Sequence, residues 1–164
     1  MSGRTKRIAE YGLLTALALI LSYVESLFPA FVAIPGIKIG LTNVVVLYAL
    51  YRLGNKSAIC INLVRIMLVA AMFSGIMGLA YSLAGGALSG AVMIALKRTN
   101  KLSIVTVSVI GGISHNIGQI IVAMLLLQTK AIATYLIILW FTGIISGIVV
   151  GIIAAEIVKR VERA

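Results

Sequence analysis

Apolar runs follow one another from one end of this chain to the other, broken only by short basic or Gly/Pro-containing stretches. Roughly 20 apolar residues in a helix span the hydrocarbon core of a bilayer, and a backbone surrounded by lipid has to satisfy its own hydrogen bonds. Runs that recur so closely leave no space for a soluble domain or a long linker. Of 164 residues, 62% are hydrophobic and 11% charged, against roughly 45–50% and 25% in soluble domains. A water-soluble fold of this length has nowhere to bury that much apolar surface. The expectation is a single integral membrane domain over residues 1–164, an all-α bundle of transmembrane helices.

Allowing shorter spans where neighbouring helices bury them, six crossings fall near 8–28, 40–53, 57–73, 76–97, 103–128 and 131–158. Arg4, Lys6 and Arg7 ahead of the first run have the look of a signal peptide. That run, however, is about 20 residues long and lacks a clear small-residue cleavage site, so it is kept as a membrane helix. The second and third spans are short, and Gly54-Asn55 between them is a tight-turn signal.

The distribution of cations supports this count. With the amino terminus inside, the cytoplasmic segments collect Arg4, Lys6, Arg7, Arg52, Lys56, Lys97, Arg98, Lys101, Lys159, Arg160 and Arg163. The outer loops hold Lys38 and Lys130, and Arg65 lies within the third span. Basic residues near span ends resist translocation, so an eleven-to-two split favours six crossings with both ends cytoplasmic. Merging spans two and three would put Lys97, Arg98 and Lys101 outside. The net charge of +10 is thereby accounted for as a basic strip facing anionic lipid, with no nucleic-acid partner.

Small residues recur at spacings that let helices approach closely: Gly86 and Gly90, the ladder Gly143, Gly147 and Gly151, and Gly12 with Ala16. The ladder reads as packing inside the bundle. For Gly12 and Ala16, internal packing and contact with another protein both stay open. Cys60, the one cysteine, reads as a small core residue and excludes a disulfide framework or a Cys-rich metal site.

Ionisable and amide groups inside a membrane are costly and mark functional positions. The candidates are Glu25 in the outer part of the first span, Lys38 and Asn43 flanking the second, Arg65 in the third, and His115, Asn116 and Gln119 in the fifth. His115 and Gln119, four apart, share a helix face. On the six-span arrangement all of these fall at mid-membrane or on its outer side, so they are expected to converge on one pocket open to the exterior. Its cations outnumber its single carboxylate, which favours a ligand bearing carboxylate or phosphate. An Arg65–Glu25 ion pair that only fixes helix register is the alternative. Aspartate is absent from the chain, so it has no Asp-rich diphosphate–magnesium site. Nor is there a Ser-His-Asp or Cys-His arrangement, a second histidine for a metal, or the spacing of a phosphate-binding nucleotide loop. No catalytic residue, metal or cofactor is expected.

Glu25-Ser26-x-x-Pro29, the loop Pro35-Gly36-x-Lys38-x-Gly40-Leu41-x-Asn43, Arg65, and His115-Asn116-x-Gly118-Gln119 resemble the Gx transporter family, labelled heptaprenyl diphosphate synthase component I. That family is grouped with the substrate-binding S components of energy-coupling factor (ECF) transporters. The resemblance implies six helices with cytoplasmic ends in a bacterial plasma membrane. It also implies capture of a vitamin-like or other scarce small molecule from outside, and association with a transmembrane coupling protein and two ATPases. Small residues on the first helix commonly form the docking face in such proteins; Gly12 and Ala16 fit that pattern approximately, with Ile20 at the next position. The resemblance therefore points to a non-enzymatic binding subunit whose site comprises Glu25, Lys38, Asn43, Arg65, His115, Asn116 and Gln119. The alternatives are an accessory subunit beside a prenyl diphosphate synthase and a self-contained channel or carrier.

Overall fold

The computed structural model describes residues 3–27 and 40–163. Among these residues it contains helices and no strand. The α-helices are α1 (Gly3–Leu27), α2 (Thr42–Arg52), α3 (Asn55–Val69), α4 (Gly75–Arg98), α5 (Ile104–Leu127) and α6 (Tyr135–Arg163). A π-helical turn, Ala70–Ser74, follows α3, and a 3₁₀ turn, Lys130–Thr134, precedes α6.

Four helical stretches are long and apolar enough to cross a membrane: Arg4–Leu27, Asn55–Arg98, Ile104–Leu127 and Lys130–Arg163. The 44-residue stretch would be about 66 Å long if straight, twice the apolar thickness of a bilayer. It is not straight. Gly75 takes φ +63° at the end of the π turn, a conformation that L side chains resist, and α4 folds back so that Gly86 rests against Asn62 and Ile66 of α3. Asn55–Arg98 is thus a helical hairpin. The α2–α3 connection turns at Gly54, φ +93°, where the Gly54-Asn55 signal placed it.

Only eleven residues long, α2 is nonetheless apolar on almost every side, because it is the most enclosed helix of the bundle. Val45, Leu47, Ala49 and Leu50 are almost fully buried, and the helix packs against α1, α3 and α6. A segment covered by protein on all sides need not match the bilayer thickness by itself. The outer helices are clothed differently: Leu13, Met72, Ile76, Leu125 and Ile137 are each more than 60% exposed, as side chains that face lipid are.

The most extensive helix contacts are α4 with α5 and α5 with α6, and glycines make them possible. A Cβ at Gly118 would stand 2.7 Å from the Ala84 carbonyl oxygen of α4. On α6, a Cβ at Gly147 or Gly151 would stand 2.6 Å or 2.7 Å from the Cα of Val109 or Val105 on α5. Main chains meet directly there, which maximises dispersion contact where lipid supplies no hydrophobic drive. Gly86 is packed against side-chain tips and not main chain, with Asn62 Nδ2 and Ile66 Cδ1 each 3.1 Å from a Cβ, and Gly90 faces open space; the spacing of four was right for the first member of that pair and uninformative for the second. Gly12 likewise has nothing within 4 Å of a Cβ position, and Ala16 is exposed, so neither packs inside the bundle.

Polar contacts fix which ends lie together. Ser22 and Thr42 hydroxyls, 2.9 Å apart and buried, tie the end of α1 to the start of α2. Tyr11 bonds Ser57 at 2.6 Å, joining the beginnings of α1 and α3. Lys97 Nζ donates to the Leu50 carbonyl and lies 5.3 Å from the Tyr51 ring centre, joining the ends of α4 and α2. Arg52 pairs with Glu162 at 3.7 Å. The start of α1, the α2–α3 turn and the ends of α4 and α6 therefore occupy one end of the bundle, and Arg52, Lys56, Lys97, Arg98 and Lys159 gather with them.

The stretch that holds the sixth span begins as a 3₁₀ turn, becomes α-helical at Tyr135 and continues to Arg163. One sequence expectation needs correction. Cys60 is exposed, not a core residue. It lies beside Gly12, Thr15 and Ala16 in a groove of about 420 Å³ between α1 and α3.

Candidate polar cavity

At the opposite end of the bundle from the cations, a cavity of about 60 Å³ is lined by groups from all six helices or their immediate flanks. From the first half of the chain come Glu25, Gly40, Thr42, Asn43 and Arg65. From the second half come Ser82 of α4, then Gly112, His115, Asn116 and Gln119 of α5, and Ser146 of α6. Six of the seven substrate-binding candidates therefore share one cavity. The seventh, Lys38, lies outside the described residues.

Each position follows from local structure. Residues 112, 115, 116 and 119 recur at intervals of three and four, so they form one stripe along α5. The Glu25 carboxylate accepts a short hydrogen bond from the Gly40 backbone N–H, which orients the approach to α2. Asn116 Nδ2 donates to the Leu139 carbonyl at 2.5 Å, and Thr142 Oγ1 donates to the same oxygen at 3.0 Å. Asn116 is therefore both a wall of the cavity and a strut between α5 and α6. The His115 imidazole packs on Gly85, where a Cβ would approach it to 2.9 Å.

Arg65 has a different standing. One terminal nitrogen donates to Asn62 Oδ1 at 2.6 Å, but its Nε is buried with no hydrogen-bond partner among the described residues. Arg65 and Glu25 form no direct salt bridge, but the carboxylate lines the same cavity and attracts the guanidinium across it, so the register-fixing alternative stands as a longer-range attraction. A guanidinium has five donors in a planar fork, and this one faces the cavity with only part of its capacity engaged.

Some lining groups were not legible as candidates. Thr42, Ser82, Ser146 and the Arg65 partner Asn62 are single small polar residues in apolar runs, common in membrane helices, where they usually bond their own backbone. Asn62 carried one usable signal, its i,i+3 spacing from Arg65. Among the described residues no three His, Cys, Asp or Glu side chains come together to hold a metal ion.

A second, larger cavity of about 370 Å³ adjoins the first and shares Ser82 and Gln119 with it. Its remaining walls are Gly78 and Tyr81 of α4, Ile120, Ala123 and Leu127 of α5, Ile132, and Tyr135 and Leu139 of α6.

Replacing Asn116 with alanine should lower thermal stability only slightly, because Leu139 O keeps its bond from Thr142. Single interhelical hydrogen bonds in membranes contribute about 0.6 kcal/mol. A thermal melt of the purified variant reads this directly; a large loss would make Asn116 chiefly a structural strut.

The chain matches the solved structure described as "Structure and mechanism of the S component of a bacterial ECF transporter" with a TM-score of 0.76, covering 98% of this chain and 97% of that one at 23% identity. At that identity the likeness establishes a shared fold. The chain also matches the family model of heptaprenyl diphosphate synthase component I over residues 14–157, and it belongs to that family. No curated protein is significantly similar in sequence.

Proposed function

We propose that this protein is the substrate-binding subunit of an ECF-type uptake transporter, and not an enzyme, capturing a small anionic molecule from outside the cell. The observation that carries this reading is the convergence of Glu25, Asn43, Arg65, His115, Asn116 and Gln119 on one cavity, with an under-engaged guanidinium facing it. The fold shared with a bacterial S component supports it. In this reading the helices cross a bacterial plasma membrane six times as one domain, with both chain ends and the basic end of the bundle cytoplasmic, as the positive-inside rule requires. The cavity then opens outward.

Delivery would proceed through a coupling protein and two ATPases, docked on the exposed groove between α1 and α3. Gly12 and Ala16 leave room there for another helix to approach closely. Cys60 in the same groove is a built-in reporter. Its labelling by a membrane-permeant maleimide should slow at least severalfold when the partner complex is present. Gly12→Trp should abolish copurification with the partners while leaving ligand retention intact. Unchanged Cys60 labelling in the assembled complex would move the docking surface elsewhere.

The family description favours a second reading, in which the chain is a membrane accessory to a prenyl diphosphate synthase. A pull-down from native membranes separates the two: ATPases and a coupling protein support transport, whereas a soluble Asp-rich synthase without them would replace it.

A further inference from the structure

We infer that the ligand is an amphiphile, with an anionic head held at Arg65 and an apolar body lying in the adjoining 370 Å³ chamber. The inference rests on the binding-subunit reading and names the chemical class that its site selects. The polar cavity, at about 60 Å³, holds roughly two water molecules or a single carboxylate- or phosphate-sized group. A complete small-molecule ligand needs more space, since ligand sites usually enclose about 300–1,000 Å³. The space is present next door. The larger chamber meets the polar one at Ser82 and Gln119, and its other walls include Tyr81, Ala123, Tyr135 and the side chain of Leu139.

The two chambers differ sharply in chemistry. One has a guanidinium, a carboxylate, an imidazole and three carboxamides around a volume that fits one charged group. The other is walled by aliphatic and aromatic side chains and contains no ionisable side chain other than tyrosine phenols. Leu139 and Gln119 stand at the divide: the Leu139 carbonyl is satisfied by Asn116 and Thr142, which leaves its apolar side chain as the surface offered to the chamber. A wholly polar solute would leave the larger chamber filled with poorly hydrogen-bonded water. A wholly apolar one would leave the buried Arg65 Nε unsatisfied. A molecule with one charged end satisfies both.

Chain-length dependence tests this with defined probes. Binding of hexyl phosphate and inorganic phosphate, and of heptanoate and acetate, is measured by calorimetry on the full chain in lipid nanodiscs, with empty nanodiscs subtracted. The expected result is at least tenfold tighter binding of the long member in one of the two pairs. Ala123→Phe, which fills the chamber, should remove that advantage and leave the weak short-anion binding. Arg65→Ala should remove the binding of both members. Equal affinity of long and short members, still dependent on Arg65, would overturn the amphiphile and preserve the anion site. Binding that ignores Arg65 would overturn the site itself. The wild-type comparison stands alone if Ala123→Phe fails to fold.

Discussion

Arg65→Ala is expected to weaken ligand binding more than a hundredfold while leaving the folded protein as stable as before, or more so. The two halves of this expectation have one origin. Arg65 has a buried Nε with no partner among the described residues and one hydrogen bond, to Asn62. Its charge is costly, because a cation held within a membrane costs several kcal/mol, and the Glu25 carboxylate across the cavity offsets only part of this. Its removal therefore takes little from the fold. When an oxyanion occupies the cavity, the same guanidinium makes charge-assisted bonds in poorly hydrated surroundings, and losing one side of such a buried pair costs about 2–5 kcal/mol. At 1.4 kcal/mol per tenfold, about 3 kcal/mol exceeds a hundredfold in Kd. Arg65→Lys should recover part of the loss, because an ammonium supplies the charge but not the planar fork. Measured together, affinity and melting temperature separate a ligand-binding arginine from a structural one. Parallel loss of both would assign it to the fold.

Gly118→Ala and Gly147→Leu are expected to produce the largest losses of stability in the chain. At Gly118 the new Cβ would stand 2.7 Å from the Ala84 carbonyl oxygen and 2.9 Å from the Cα of Gly85; at Gly147 it would stand 2.6 Å from the Cα of Val109. The obstructing atoms are main chain, which cannot rotate aside as a side-chain tip would. Relief requires α4 or α6 to move off α5, with loss of close contacts along several turns. Overpacking of a tight interface costs about 1–3 kcal/mol, and leucine at 147 belongs at the upper end or beyond. Gly12→Ala and Gly90→Ala are the matched controls, since a Cβ at either meets nothing within 4 Å. Thermal melts of the four variants in one detergent should show two clear losses and two near-neutral changes. A uniform fall across all four would mean that helix flexibility, not interhelical contact, explains these glycines.

The division between what the residues foretold and what they did not is physical. A costly group in an apolar run has few uses, so Arg65 stood out by itself, His115, Asn116 and Gln119 stood out as a cluster, and their shared face followed from helical spacing alone. The turn at Gly54 and the separate helices on either side of it were legible for the same reason: a dipeptide with strong local preferences sits between apolar runs. Which glycines meet a neighbour was not legible. Gly86 and Gly90 have the same spacing and the same apolar surroundings, yet only Gly86 touches α3, because the rotation of α4 about its axis is set by tertiary packing. Cys60 was misplaced by the same ambiguity, since apolar neighbours in lipid do not distinguish inside from outside. The larger chamber was invisible for a deeper reason. Its walls are Tyr81, Ala123, Leu127 and Leu139, residues that any membrane helix carries, and only their arrangement around empty space gives them a role.

Ligand capture as proposed requires Arg65 and the α5 stripe to act together on one molecule. The most direct measurement is an experimental structure of the protein purified gently enough to retain its native ligand, with that ligand identified by mass spectrometry of the same sample. The ligand should place an anionic group within hydrogen-bonding distance of the Arg65 guanidinium and beside Asn116, with the rest of the molecule directed past Gln119 toward Tyr81. A ligand seated elsewhere in the bundle, with the Arg65 cavity holding only water, would contradict it.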